Sequence, residues 1–215
     1  MLLSAVYIYR GILVPLAILA PFSIALSEIR RLNKPLFFFF IYLIICGLGN
    51  AIASALASRK VNNLPILHLY TVLEFIVISF FFAEILESEK FKKIAIIIAI
   101  LFTAFVIINT FFIQGLYIYD THSRSLEALI FICYSLYYFK KSLGVPRDLQ
   151  NHRYVFFYIN SALLIYFGGS FFLFLFENLI LNKSANTIFW AIHASLELIM
   201  YILFTIGLLH VKKPR

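Results

Sequence analysis

Apolar stretches and short polar connections alternate along almost the whole chain. The apolar stretches cover approximately residues 6–27, 35–58, 64–86, 94–113, 121–139, 154–179 and 186–210. Each is about 20 residues or more, which as a helix crosses the roughly 30 Å hydrocarbon core of a bilayer. A lipid-embedded segment must satisfy its own backbone hydrogen bonds, so these stretches are read as helices and not as open strands. The pattern predicts an all-α, polytopic bundle of seven transmembrane helices, a single transmembrane domain over 1–215. Pro15 and Pro21 are expected to kink the first helix, and Asp120 stands where it can cap the fifth. Gly144 and Pro146 break the longest connection. In the second stretch small residues crowd the C-terminal half (Gly47, Gly49, Ala51, Ala53, Ser54, Ala55, Ala57), which suits close helix contact or a homo-oligomer. Cys46, Asn50 and Ser54 recur on one face of it.

Composition agrees with the pattern. Apolar residues make up 63% of the 215 and charged residues 13%, and the mean hydropathy is +0.96. A soluble fold of this length could not hide so much apolar surface. Arg10 interrupts the first stretch and no charged region precedes it, so it is read as a retained span and not a signal peptide. The net charge of +8 would suggest nucleic-acid binding in a soluble protein. Here the basic residues sit in connections, where they set topology and leave nucleic acid without a role. Of the 18 Lys and Arg, 13 fall after the first, third and fifth stretches and at the C-terminus. That bias predicts N-terminus out and C-terminus in, with a bacterial inner membrane as the expected location. Cys46 and Cys133 lie inside apolar stretches and are read as small apolar residues.

Against this background a few polar positions stand out. Three Leu-Glu steps lie within apolar sequence, at Glu74, Glu127 and Glu197, with His68, His122 and His193 a short way upstream. All three stretches enter from the same side, which places the carboxylates roughly 10–18 Å deep at about 1.5 Å per residue. Asn50, Asn109, Ser170 and Asn178 fall in the same outer half, whereas Glu84 lies near an inner end. Trp190, His193, Glu197 and Tyr201 form one stripe on the last helix. An ionisable group at such depth should face the bundle interior and have partners. The expected ligand pocket is Glu74, Glu127, Glu197, His68, His193, Asn50, Asn109, Arg124, Tyr70, Asn160 and Ser170. Three carboxylates so close need protons, a cation or Arg124 to balance them. His122 is expected at the interface and His210 in solvent.

Three functions fit this layer. It can be an outward-facing pocket that senses a small ligand or ion, passing the signal to a cytoplasmic-side partner across the basic surface of Lys140, Lys141, Arg147, Arg153, Lys212 and Lys213. It can hold a divalent metal (zinc, iron or manganese) on His193, Glu197, Glu127 and Glu74, with His68 near, to activate water. It can carry a solute or protons.

Over its length the chain resembles bacterial seven-helix integral membrane proteins, a resemblance that brings no activity. Its plan is also similar to the seven-helix metal hydrolases that include alkaline ceramidases. Those end on a His-x-x-x-His pair where this chain has His193-x-x-x-Glu197, and the likeness implies metal-dependent hydrolysis of a lipid-like substrate. Microbial rhodopsins need a lysine in the last span, and none is present. A faint repeat at about 121–123 residues sets Gly47-Leu-Gly-Asn50 beside Gly168-Gly-Ser170 and Leu73-Glu74 beside Leu196-Glu197. It is similar to the two three-helix repeats of Pro-Gln-loop sugar carriers, whose Pro-Gln dipeptide this chain lacks.

Overall fold

A computed structural model describes residue 6 and residues 8–143, 153–179 and 183–211. Within them the chain is all helical. Seven helices follow in order: α1 (Tyr9–Ser27), α2 (Lys34–Ser58), α3 (Leu64–Ile85), α4 (Glu89–Ile113), α5 (Thr121–Leu143), α6 (Arg153–Phe176) and α7 (Lys183–Leu209). Six of them are long and apolar enough to cross a membrane. The exception is α5, which is 23 residues long but carries polar groups through much of its length. Those groups are turned inward: Ser123, Arg124, Ser125, Glu127 and Ser135 are all buried.

Local chemistry sets the helix ends. Asn33 accepts from the Leu36 amide at 3.1 Å ahead of Pro35, and Ser88 accepts from the Phe91 amide at 3.3 Å, so α2 and α4 begin on side-chain caps. Pro65 occupies the first turn of α3, where its missing N–H costs no helical bond. The first helix is irregular. It opens with a π-turn over Tyr9–Leu13 and breaks again at Ile18, between its two prolines. A second π-turn, Asn109–Ile113, ends α4, and Gly115 follows it at φ 97°, a conformation that suits glycine.

The helices close into a ring. Going round it, α1 packs on α2, α2 on α3, α3 on α5, α5 on α6, α6 on α7, and α7 back on α1. The remaining helix, α4, leans on α3 and α5. Exchanging α1–α3 with α5–α7 leaves the six ring partnerships unchanged, while α4 links the two sets from outside the ring. Glycines allow close approach in both units: a Cβ on Gly49 would lie 2.7 Å from the Tyr70 ring on α3, and one on Gly169 would lie 2.7 Å from Leu196 on α7.

One end of the ring is filled with aromatic rings. Phe39 meets Phe204 edge-on at 4.7 Å, and Phe131 lies 5.0 Å from Phe75 and 4.9 Å from Phe167, all fully buried. This closes the half of the bundle where α2 and α6 begin. At that end α6 and α7 touch almost backbone to backbone, since a Cβ on Gly207 would lie 3.0 Å from Tyr158 Cβ and 3.3 Å from the Val155 carbonyl oxygen. Gly207→Val is therefore expected to cost about 1–3 kcal/mol through overpacking. Gly47→Ala, with nothing within 4 Å of its new Cβ, should not destabilise. Thermal unfolding of both variants in the same detergent checks the pair.

Candidate functional site

The polar residues gather at the opposite end, where α1, α3, α5 and α7 begin. A cavity of about 380 Å³ opens there between α1, α2, α3 and α7, with Arg124 of α5 and Tyr166 of α6 in its wall. The small residues of α2 make the room: Gly49, Ala53, Ser54 and Ala57 line it.

Arg124 is the centre of the first network. Its Nη1 donates to Glu74 Oε2 at 2.5 Å and to Glu127 Oε2 at 2.7 Å, and its Nη2 reaches the Tyr166 hydroxyl at 3.4 Å. Both carboxylates are fully buried. Helix geometry explains half of this, because Arg124 and Glu127 are one turn apart on α5. Tertiary packing supplies Glu74 from α3. The guanidinium carbon stacks 4.5 Å over the Phe174 ring. Tyr70 donates to Glu74 Oε1 at 3.0 Å, and the Tyr166 hydroxyl lies 3.2 Å from His193 Nε2. Glu127 Oε1 has no hydrogen-bond partner among the described residues.

Glu197 stands apart from the guanidinium. Its Oε1 accepts from the Tyr201 hydroxyl at 2.7 Å and from Asn50 Nδ2 at 3.4 Å, which ties α7 to α2 across the cavity floor.

A second network holds the rim. Asp120 Oδ1 accepts from the Ser123 amide at 2.9 Å, capping α5, and from Asn109 Nδ2 at 2.7 Å. His68 donates from Nδ1 to Asp120 Oδ2 and from Nε2 to the Ile118 carbonyl, each at 3.2 Å. The Thr110 hydroxyl of α4 also lies 3.1 Å from His68 Nδ1. Burial pushes the Asp120 carboxyl up, but the hydrogen bonds from His68 and Ser123 outweigh it and hold the group below its ordinary value of 3.8. Exposed His122 donates from Nδ1 to Asn109 Oδ1 at 3.0 Å. This rim fastens α3, α4 and α5 together.

The expected pocket is thus divided. Arg124, Glu197, His68, His193, Asn50 and Tyr70 line the cavity, whereas Glu74 and Glu127 lie behind Arg124. Asn109 belongs to the rim. Asn160 is deeper, donating to the Ser135 carbonyl at 3.2 Å, and Ser170 is buried with its hydroxyl unpaired among the described residues. Sequence reasoning passed over Arg10, Asp120, Tyr119 and Tyr166, all in the cavity wall. A helical signal existed for Tyr166, which precedes Ser170 by one turn, and Arg10 was visible as a lone charge in an apolar run.

The proposed metal ligands do not converge. Glu74 and Glu127 share Arg124, His193 Nε2 faces Tyr166, and Glu197 faces Tyr201 and Asn50. Among the described residues no three His, Cys, Asp or Glu side chains are placed to hold a metal. The guanidinium supplies the positive charge that a divalent ion would bring to Glu74 and Glu127. Of the basic surface, Arg147, Lys212, Lys213 and the Arg153 side chain lie outside the described residues, as do Gly144 and Pro146. Lys141 Nζ is engaged on the Leu86 carbonyl at the C-terminus of α3. His210 is exposed, stacked near Tyr158.

What the fold and site define is a multi-pass helical membrane protein with a polar cavity at one end. Comparison of the chain with protein-family models, with curated proteins and with solved structures finds no match.

Proposed function

We propose that this protein is a seven-helix receptor of the cell membrane that takes a small ligand into the cavity at its outer end and passes the event to a separate partner. In this reading α5 is the seventh span. Its 23 residues extend about 34 Å at 1.5 Å per residue, and its polar groups are shielded by neighbouring helices. The Lys and Arg bias puts the cavity outside and the C-terminus inside a bacterial inner membrane.

The observation that carries the reading is the one-sidedness of the bundle: a polar cavity at one end and a sealed aromatic core at the other. The cavity floor is also where helices are tied by polar side chains. Asn50–Glu197 joins α2 to α7, and Arg124 joins α3 to α5. A ligand that rearranges either link shifts the balance between helix arrangements by its differential affinity for them. The partner would meet the inner end, where Lys140 is exposed.

Transport is the second reading. It is favoured by the repeated packing of α1–α3 and α5–α7, the relationship found in carriers built from parallel repeats with a central site.

Cysteine labelling separates the two. Ala53→Cys, on the cavity wall, is made in a Cys46→Ser, Cys133→Ala background and treated with a membrane-impermeant thiol reagent. Reaction in intact cells but not in inside-out vesicles is the expected result for the receptor. Reaction from both sides would favour the carrier. Reaction from the inside alone would reverse the orientation, and no reaction from either side would remove the open cavity and both readings with it.

A further inference from the structure

We infer that the occupant of this cavity carries a positively charged nitrogen, an ammonium or guanidinium group, seated against Glu197. The inference rests on the reading of the cavity as a ligand site and adds the ligand's chemistry.

The protein contains its own template for such a group. Glu74 on α3 and Glu197 on α7 occupy corresponding places in the two three-helix units, 123 residues apart. Each accepts from a tyrosine on its own helix, though from opposite sides: Tyr70, one turn before Glu74, at 3.0 Å, and Tyr201, one turn after Glu197, at 2.7 Å. Each has a polar or guanidinium donor from a neighbouring helix. At Glu74 that donor is the Arg124 guanidinium, 2.5 Å from Oε2, lying over the Phe174 ring at 4.5 Å and near the Tyr70 ring at 5.8 Å. At Glu197 it is the neutral Asn50 amide, which shares Oε1 with Tyr201.

So one half-site holds a cation between a carboxylate and aromatic faces, and the other has the carboxylate without the cation. Among the described residues no ion pair forms at Glu197, and its Oε2 accepts no hydrogen bond. Yet Glu197 faces the cavity whereas Glu74 does not. The aromatic faces are also there: Tyr70, Tyr119, Tyr166 and Trp190 line the same space. A carboxylate among aromatic faces in a partly desolvated cavity is the chemistry that holds an organic cation. A volume of about 380 Å³ is near the lower end of small-molecule sites, so the ligand is a small amine.

Other charges face the cavity and bear on the sign. Arg124 pairs with both Glu74 and Glu127, and Asp120 lies 3.2 Å from His68. Arg10 also lies in the wall, so its effect on the sign is part of the test.

The test reads the sign of the site without knowing the ligand. Ala53→Cys sits one turn beyond Asn50. Its reaction rate is measured with two methanethiosulfonates of similar size, one bearing trimethylammonium and one bearing sulfonate. The ratio of rates is divided by the ratio at Ser58→Cys, which is exposed at the end of α2 and outside the cavity. Any effect of Glu197 on ionisation of the new thiol slows both reagents alike and cancels in the ratio. The expected result is a cavity preference for the cationic reagent of about tenfold or more, as for a focused charge in a low-dielectric cleft. It should collapse toward unity in Glu197→Gln, which keeps the shape and the acceptor for Tyr201. A preference for the sulfonate reagent, or no preference until Arg10→Gln is introduced, would overturn the proposal, because Arg10 would then set the sign. A cationic preference that survives in Glu197→Gln would overturn the role of Glu197. Failure of both reagents to react would instead reject the open cavity, and is thereby distinct from a wrong ligand charge.

Discussion

Arg124→Met is expected to cost about 3–5 kcal/mol of stability, because it leaves Glu74 and Glu127 buried without their shared cation. The cost comes from stranding the carboxylates more than from losing the attraction. Desolvating the ion cluster already consumes much of that attraction. The triple variant Arg124→Met, Glu74→Gln, Glu127→Gln removes the stranded charges and should therefore recover most of the loss. Arg124→Lys should fall between, since one ammonium cannot reproduce the forked donation to two carboxylates and Tyr166. Thermal unfolding in a single detergent, together with the amount of protein reaching the membrane, gives the ranking. A triple variant no better than Arg124→Met would show that the cluster is not a self-contained charge balance.

Asp120→Ala should have the next largest effect, about 3 kcal/mol. It removes a helix cap, worth about 1 kcal/mol, and takes one hydrogen bond each from His68 and Asn109, at about 1 kcal/mol per bond, while Thr110 and Gln114 remain as their partners. Asp120 is the side chain of the rim that contacts α3, α4 and α5 together, so the loss should appear as looser packing of α4, the helix outside the ring. The sign of the acid response also follows. The folded protein holds the Asp120 carboxyl below its ordinary value of 3.8. Its contribution is therefore fully present above that pH and is lost as pH falls through the lower, folded value. Asp120→Asn should be less stable than wild type at neutral pH and should flatten the acid limb of the stability profile below about pH 4. Hydrogen exchange of the α4 amides, with melting followed from pH 7 to pH 3, measures both effects. Parallel acid limbs in wild type and Asp120→Asn would assign the acid response to other groups.

The helical class was legible because lipid leaves the backbone little choice. Six apolar stretches of sufficient length read directly as helices that can cross a bilayer, and a hydropathy pattern needs no tertiary partner to say so. Glu74, Glu127 and Glu197 could also be assigned from sequence to helices that start at the same end of the bundle. Arg124 could be paired with Glu127 from spacing alone. It could not be paired with Glu74, because that contact depends on α3 and α5 being neighbours across the intervening α4.

Neighbourhood is what only the tertiary structure decided. The chain order does not state that α3 packs on α5 as well as on α4, or that α7 closes on α1; those choices follow from which faces fit. They separate three carboxylates that look alike in sequence. Two are bound to one guanidinium behind the cavity wall, and the third faces the cavity beside neutral donors. They also dispersed the expected metal ligands, since side chains at equal depth on a ring of helices need not point at one another. A sequence specifies periodicity, depth and charge inventory, which are local properties. Which carboxylate remains available to a ligand depends on the directions in which helices turn their faces, and that is fixed only when the whole bundle packs.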